Sequence, residues 1–411
     1  MSVVMNRVTP IISVVSPSSA VGPEKPPPDS SLHDDDGDDE SMMLAAFLST
    51  FAAQGQVANR IQVSTVKAPS PPVADEVVIA VKAASITVDD VSACQDTVGG
   101  GWFAHPRAPS ESAPHIGGCD YAGVVIAVGP ECKTIKPGDR VCGVQDIWVK
   151  QRPGTWAQKT KAAESEVVPL DDKYDGISFV EAAGTAMGAF VCADMYKRVK
   201  FQTGPQRRAL ILGASGALGS VMVQLLSKAR SSGGGDGERL WNVTAVVSGA
   251  NAAAARAAGA DAVVDYTAKP FGKQLAGGEG FDAVFDFVGG PDMEAGATPL
   301  LRKGGRFITA VGPMQNAGDR QLSCGEFTGT ACGIIGRSLK SCMPCAGFTY
   351  EMSGSYPPLK PDDFALVAGT GGARTTVALE VPFSEASVRD AISRVASHHA
   401  GGRVVINFEL M

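Results

Sequence analysis

The sequence of 411 residues lacks two features that would place it in a specialised class of protein. It has no apolar run of the length that a membrane-spanning helix needs, which is about 20 residues. It has no basic stripe, and its net charge of −7 argues against a surface that binds nucleic-acid phosphates. We therefore expect neither a membrane span nor a nucleic-acid partner.

The cysteines are also not arranged as a disulfide framework. They are odd in number, nine, and scattered along the chain, which favours reduced thiols in an intracellular protein. Cys342 and Cys345, taken with Cys324 and Cys332, could in principle form a four-thiolate zinc site. Their irregular spacing favours unlinked thiols, and we predict no metal site.

Residues 1–41 differ in composition from the rest of the chain. Clustered prolines precede an acidic run from Asp34 to Glu40, and such a segment cannot bury enough apolar surface to fold. We therefore predict a disordered tail. A mitochondrial presequence would be rich in arginine and poor in acids, whereas this tail has one arginine, Arg7. The cytoplasm is the predicted location, with the mitochondrion as the alternative.

A glycine-rich turn is the most informative segment. From Arg208 the chain reads RALILGASGALG, and a helical pattern follows from Ser220 to Ala229. The glycines allow a sharp strand-to-helix turn and let a pyrophosphate approach the N–H groups at the start of the helix. The cofactor-binding residues predicted here are Gly213, Ala214, Ser215, Gly216, Ala217, Leu218 and Gly219.

Four further strand-like segments follow, at 243–247, 262–265, 281–288 and 305–312, with helical stretches between them. Strands that alternate with helices imply right-handed crossovers and a parallel sheet. We therefore predict an α/β Rossmann domain over residues 186–340. Gly312 ends the last of these segments and is also predicted to lie at the cofactor.

The residues after the second strand of this series indicate which nucleotide is bound. NAD-binding folds place an acid there to bond the ribose 2′-hydroxyl, and that acid would repel a 2′-phosphate. Here Val247 is followed by Ser248, with no acid before Asp261. NADPH is therefore favoured, with Ser248 and Asn251 as donors to the phosphate. The alternative is that Ser248 only caps the next helix, and the two roles are compatible.

Segments outside the glycine turn show a family pattern. They read GCDYAGVVIAVG from Gly118, KPGDRV from Lys136 and HAGG from His399. With them, the chain from about Met43 to its end resembles the medium-chain dehydrogenase/reductase superfamily, in its zinc-free quinone oxidoreductase branch. Within that branch it is most similar to the NADPH oxidoreductases related to reticulon-interacting protein.

This resemblance implies a GroES-like, mainly antiparallel β domain over residues 42–185. The Rossmann domain would follow, and a C-terminal segment, 341–411, would return to the first domain. The cofactor would lie in the cleft between the domains, and the family pattern allows a homodimer. Read without the family, the β-branched run after Glu76 already fits a mostly buried strand.

The resemblance also allows the zinc-ligand positions of the family to be compared with this sequence. Zinc-dependent members of the superfamily hold a catalytic metal with a cysteine and a His-Glu pair, and the matching positions here are Thr87, Cys119 and Asp120. Threonine is not a usual zinc ligand, so no recognisable three-ligand set is present in the sequence. Metal-free hydride transfer is the prediction.

Thr87 and Tyr121 are the catalytic candidates. Thr87 can donate a hydrogen bond to a substrate carbonyl, although threonine at a strand end is more often a local backbone cap. Tyr121 is expected in a loop that faces the cleft as a source of the proton, with a half-buried structural aromatic as the alternative. Ser92, and Phe190 or Val191, replace other family contacts to substrate and cofactor.

Two more cofactor contacts are implied by the resemblance alone. Tyr266 matches the family's contact on the adenosine side, with core packing as the alternative, and His399 is carried over as a cofactor neighbour. The predicted function is an NADPH-dependent oxidoreductase that transfers hydride to a small electrophile, a quinone or an activated enone or enal. The alternative is a nucleotide-binding regulatory or assembly protein with the same fold and little turnover.

Overall fold

The chain folds into sheets of two kinds. A computed structural model describes residues 41–96, 108–145, 152–199, 206–230, 239–315, 322–341, 343, 347–353 and 359–411. Residues 1–40 of the predicted tail, and Cys342 and Cys345, lie outside the described residues. Within these ranges no helix has the length and apolar character needed to cross a bilayer.

The strands and helices are numbered in chain order. The strands are β1 (Met42–Leu48), β2 (Gln62–Lys67), β3 (Glu76–Ile86), β4 (His115–Ile116), β5 (Asp120–Val128), β6 (Arg140–Val144), β7 (Lys159–Ala163), β8 (Val167–Pro169), β9 (Arg207–Leu212), β10 (Trp241–Val247), β11 (Ala262–Asp265), β12 (Phe281–Asp286), β13 (Leu301–Thr309), β14 (Phe348–Met352), β15 (Val377–Pro382) and β16 (Arg403–Asn407). The helices are α1 (Val57–Arg60), α2 (Val88–Ala93), α3 (Phe179–Lys197), α4 (Ala217–Lys228), α5 (Ala252–Ala257), α6 (Phe271–Leu275), α7 (Pro291–Ala297), α8 (Cys324–Ser341), α9 (Pro361–Ala368) and α10 (Glu385–Ala396).

A mainly antiparallel sheet forms from both ends of the described chain. Its strand order is β15-β16-β3-β5-β6-β8, with β7 paired to β3 at one end. β16 pairs antiparallel with β3 and parallel with β15, so the C-terminal residues complete a sheet begun near the N-terminus. The prediction of a mainly antiparallel β domain is confirmed.

A parallel sheet contains the glycine turn. Its order is β11-β10-β9-β12-β13-β14, and every neighbouring pair is parallel. Numbered within the sheet this is 3-2-1-4-5-6, the strand order of dinucleotide-binding domains. The Rossmann prediction is confirmed. β14 extends the sheet from the segment after residue 340, which the sequence had assigned to the C-terminal return.

Two strands of the parallel sheet end earlier than predicted, and a polar side chain explains each end. The Asp286 carboxylate at the end of β12 accepts hydrogen bonds from the N–H groups of Val288 and Gly289. Thr309 Oγ1 at the end of β13 does the same for Val311 and Gly312. These local bonds turn the chain out of the sheet. Both turns border the cleft described below.

Helix α3 joins the two sheets. It begins with a capping box, in which Ser178 Oγ accepts from the N–H of Glu181 and the Glu181 carboxylate accepts from the N–H of Ser178. It packs against β3, β5 and β6 on one side and against α4 on the other. Its many alanines and glycines are buried, which allows this close approach.

Candidate active site

A cleft of 510 Å³ lies where the glycine turn faces α2 and the loop before β16. Helix α3 contributes Met187 to its wall. Its other lining residues are Ile86, Thr87, Val88, Asp89, Ser92, Gly213, Gly216, Ala217, Leu218, Gly219, Phe287, Val288, Ala310, Val311, Met314, Val395, His398, Ala400, Gly401, Gly402 and Arg403. The cleft therefore brings together the predicted cofactor turn and the predicted catalytic Thr87.

The glycine turn has the shape that a pyrophosphate requires. Gly213 has φ +75°, a conformation that favours glycine. A Cβ on Gly219 would lie 2.2 Å from the carbonyl oxygen of Gly213, so only glycine lets the helix pack this closely on the strand. Gly216 is the N-cap of α4, and the first N–H groups of that helix have no acceptor within it. These residues fit a dinucleotide at the positive end of the helix.

Gly216 itself is less constrained than the sequence suggests. Its φ is −71°, and a Cβ there would meet only the carbonyl oxygen of Gly213, at 3.3 Å. The backbone conformation at position 216 is therefore one that any residue can adopt. Any requirement for glycine at position 216 comes from the space that a ligand would occupy.

A polar cluster forms after β9 and β10. Asn251 Nδ2 donates to Ser248 Oγ at 3.0 Å and lies 3.3 Å from Ser215 Oγ. Ser248 occupies the N-cap position of a short 3₁₀ turn, but its side chain makes no capping bond. The cluster is half-buried and carries the donors that the sequence had proposed for a 2′-phosphate.

One carboxylate beside this cluster was missed by the sequence analysis. Asp265 pairs with Val247 across the sheet, and its carboxylate lies against Gly249. It accepts hydrogen bonds from the N–H and Oγ1 of Thr267, and these bonds hold the pKa of Asp265 below its usual value. The parallel register places Asp265 beside the turn that contains Ser248, although the two residues are 17 positions apart in the sequence. The N–H of Gly249, after β10, also bonds this carboxylate, so an acid lies next to the cluster that the sequence had assigned to a 2′-phosphate.

Tyr266 lies on the nucleotide side of the turn. It is 54 % exposed and lines a second, larger cavity of 1240 Å³ together with Ser215 and Val247. This exposure argues against the alternative of core packing. Gly312, with φ +85°, lies just outside the cleft lining, where its carbonyl accepts from the N–H of Gly290.

Thr87 is a helix cap as well as a lining residue. Its Oγ1 accepts from the N–H of Asp90 at 3.1 Å and donates to Asp90 Oδ2 at 2.8 Å, and Asp90 Oδ2 accepts from the N–H of Thr87. Asp90 is fully buried, and burial raises its pKa to about 6. The local-cap interpretation of Thr87 is thus observed, and the residue still borders the cleft.

The positions that hold zinc in other members form a buried ionic cluster. Asp120 is fully buried, accepts from Ser85 Oγ at 2.6 Å and lies 4.0 Å from Arg403 Nη1. Burial raises the pKa of Asp120 to about 7, and the Arg403 guanidinium opposes that rise. Burial also raises the pKa of the neighbouring Cys119 thiol. No group of three or more metal-binding side chains suited to an ion occurs in the described part of the chain.

Tyr121 is not where the sequence placed it. It is the second residue of β5, 1 % exposed, and packs in the core on the opposite face of the sheet from Ala122. Its hydroxyl fills the space left by Gly143, and burial raises its pKa. Because β5 begins at Asp120, alternation along the strand turns Tyr121 away from the cleft.

Of the two neighbouring histidines near the C-terminus, His398 borders the cleft and the predicted His399 does not. His398 lines the cleft, whereas His399 is exposed and its Nδ1 lies 2.5 Å from the carbonyl oxygen of Ser397. His398 has φ +56°, which reverses the local backbone direction. Phe190 is buried in α3, while Met187, three residues earlier, borders the cleft.

Comparison with known proteins identifies the family. The family model for the alcohol dehydrogenase GroES-like domain matches residues 73–172, and that for zinc-binding dehydrogenase matches residues 258–406. The chain is 30% identical over 350 residues to the NAD(P)H oxidoreductase RTN4IP1, mitochondrial, of Danio rerio, which covers 81% of this chain and 84% of that protein. The chain belongs to the medium-chain dehydrogenase/reductase superfamily, in its quinone oxidoreductase branch.

Other members of the superfamily support this assignment. The chain is 28% identical over 335 residues to the NADPH-dependent alkenal/one oxidoreductase, chloroplastic, of Arabidopsis thaliana, covering 81% of this chain and 72% of that protein. The structure of the quinone oxidoreductase from Coxiella burnetii superposes with a TM-score of 0.65 at 18% identity, covering 89% of this chain and 99% of that one. This chain is therefore an oxidoreductase of the superfamily with a nicotinamide cofactor.

The two buried carboxylates predict an unusual pH dependence of stability. The folded pKa values of Asp90 and Asp120 lie above their usual 3.8, so their stabilising contribution is present at acidic pH and lost as pH rises through about 6 and 7. We expect the free energy of unfolding to fall by on the order of 1 kcal/mol or more between pH 5 and pH 8. The carboxyl of Glu164, whose pKa is lowered to about 2, does not titrate in this range.

Denaturant unfolding at several pH values measures this dependence. Asp120→Asn, which removes one of the two titrating groups, should flatten the profile, whereas Asp282→Asn, at a half-exposed pair with Arg302, should leave its shape unchanged. A stability that rises from pH 5 to pH 8 in the unmodified protein would contradict the prediction.

Proposed function

We propose that this chain is a zinc-independent, NADPH-dependent reductase that delivers hydride to a quinone or to an activated enone or enal. The observation that carries the proposal is the cleft itself. It joins a pyrophosphate-binding turn to the wall formed by Ile86, Thr87 and Val88, and it contains no recognisable zinc site in the described residues. The names of relatives, alkenal/one oxidoreductase among them, support the substrate class.

Different groups in and beside the cleft would bind the cofactor and the acceptor. The N–H groups at the start of α4 would hold the pyrophosphate, and Tyr266, in the second cavity beside the cleft, would contact the adenosine. Bound NADPH supplies the hydride. The apolar side chains of Met187, Phe287 and Val288 would exclude water from the acceptor. An electron-poor acceptor needs a dry pocket and a donor for its oxygen, and both are available without metal.

A steady-state screen tests this function. NADPH oxidation should be measured with a series of quinones, enones and saturated ketones, before and after treatment with a chelator. We expect turnover with quinones or enones, none with saturated ketones, and no loss after chelation. Turnover that needs zinc would contradict the metal-free proposal, and NADPH binding without turnover would favour the regulatory alternative.

The preference for NADPH is proposed from the cluster of Ser215, Ser248 and Asn251. We expect Ser248→Asp to raise the dissociation constant for NADPH at least tenfold, since a carboxylate would repel the 2′-phosphate, while NADH affinity stays within about twofold. The uncharged variant Ser248→Asn is the matched control and should keep most of the preference. Equal affinity of the unmodified protein for NADPH and NADH, measured by nicotinamide fluorescence, would contradict this assignment.

The predicted cytoplasmic location is not supported by the two relatives named above, of which one is mitochondrial and the other chloroplastic. We therefore favour the mitochondrial alternative for this chain.

A homodimer also stays a proposal. The edge strand β14 has a partner on one side only within the described residues, which leaves backbone groups for a second copy.

A further inference from the structure

We propose that the Thr87 hydroxyl passes a proton to the reduced substrate and that Asp90 supplies this proton. The inference rests on the proposed reductase function and names the group that completes the reaction. Hydride transfer gives the acceptor two electrons and one hydrogen, so an enone or a quinone then needs one proton at carbon or oxygen. The source of that proton must lie at the cleft.

Thr87 meets the geometric requirement. It borders the cleft between Ile86 and Val88, and it is itself 5 % exposed. Its Oγ1 lies 2.8 Å from Asp90 Oδ2, a distance at which a proton can move between the two oxygens. Thr87 therefore connects the cleft to a carboxyl group that solvent does not reach.

Asp90 can hold a proton in the neutral range because of its surroundings. It is fully buried, and burial raises its pKa to about 6, while hydrogen bonds from Thr87 and Cys119 oppose the rise. The other ionisable groups that act on it are Asp89 on α2, Cys94 after α2, and Asp120 on β5. Arg403, on β16, faces Asp120. The neighbouring carboxylates of Asp89 and Asp120 thus favour the protonated form of Asp90.

The buried pair serves the reaction better than the other candidates. Tyr121 packs on the far face of the sheet and cannot reach the cleft. Ser92 and His398 also line the cleft. Thr87 has two hydrogen bonds to the side chain of the buried Asp90, one from its N–H and one from its hydroxyl.

The reduced acceptor, an enolate or a quinol anion, takes the hydrogen of the Thr87 hydroxyl as the O–H bond of Thr87 breaks. Thr87 Oγ1 takes the proton of Asp90 at the same time, so threonine is restored and Asp90 is left as a carboxylate. After the product leaves, water in the cleft returns a proton to Asp90 through the same hydroxyl. The overall change is NADPH, acceptor and one proton to NADP⁺ and reduced acceptor.

The test compares Thr87→Val, Thr87→Ser and Asp90→Asn, with Ser178→Ala as the matched control, because Ser178 caps α3 through Glu181 in the same way outside the cleft lining. We expect Thr87→Val to lower kcat about 100-fold with little change in KM for NADPH, and Thr87→Ser to restore most of it. The kcat of the unmodified enzyme should fall as pH rises above about 6, because the donor is lost, and Asp90→Asn should remove this break. Ser178→Ala should keep both the rate and the pH profile.

Infrared spectroscopy gives a readout that does not depend on turnover. The carbonyl band of a protonated carboxyl group should disappear as the unliganded protein is titrated from pH 5 to pH 8, and one component should be missing in Asp90→Asn. Unchanged kcat in Thr87→Val, or an unchanged pH profile in Asp90→Asn, would overturn the relay while the reductase function stands. Absence of turnover with every quinone and enone would instead overturn the reductase function, and the relay with it.

Discussion

Gly219→Ala is expected to abolish measurable NADPH binding and to lower the free energy of unfolding by about 1–3 kcal/mol. The added Cβ would lie 2.2 Å from the carbonyl oxygen of Gly213 and 2.8 Å from the Cα of Ala214. Both are backbone atoms of the turn, so no side-chain rotation can relieve the contact. The helix must move away from the strand, and the N–H groups that would hold the pyrophosphate move with it.

Gly216 provides matched controls within the same turn. Gly216→Ala meets only one atom at 3.3 Å, at a φ that any residue adopts, and should change stability by less than about 0.5 kcal/mol. Gly216→Val should also fold, but should lose NADPH because its side chain enters the space proposed for the phosphate. Fluorescence titration with circular dichroism separates these effects. Wild-type affinity in Gly219→Ala would contradict the assignment of this turn.

Arg403→Met is expected to be the most destabilising change in the ionic cluster, by about 3–5 kcal/mol at pH 8. The guanidinium is 6 % exposed, lies 4.0 Å from the buried Asp120 and donates to the carbonyl of Gly184. Removing it leaves a carboxylate without a cation in the core. The loss should be smaller at pH 6, where Asp120 can take up a proton.

A double variant isolates the charge from the packing. Asp120→Asn in the Arg403→Met background should recover part of the lost stability, because the unpaired charge is gone. Denaturant unfolding at pH 6 and pH 8 measures all four proteins. Equal losses at the two pH values, with no recovery in the double variant, would mean that Arg403 acts through packing alone.

The sequence predicts the parallel sheet and its nucleotide turn because these depend on local patterns. The apolar strand before Gly213 and the alternation of strands and helices are visible within short windows. The strand ends at Asp286 and Thr309 are less visible, since the residues that follow are still apolar. Each strand stops because a polar side chain bonds the next amides.

The candidate site is less predictable because it depends on register and on contacts between distant segments. Tyr121 turns away because β5 begins one residue before it. Asp265 reaches Gly249 because parallel pairing places it opposite Val247. Arg403 and Asp120 meet only when the last strand joins the first sheet. No pattern within a short window of the sequence predicts these contacts.

The position of β16 has a consequence for the order of events during synthesis. This strand lies between β15 and β3, so the antiparallel sheet cannot close until residue 407 has left the ribosome. Until then residues 83–86 of β3 lack β16 as their partner strand, and Asp120 lies in the core region without Arg403. The parallel sheet, finished at residue 352, can form earlier. Loss of even the last nine residues would therefore leave a finished nucleotide-binding half attached to an unclosed catalytic half.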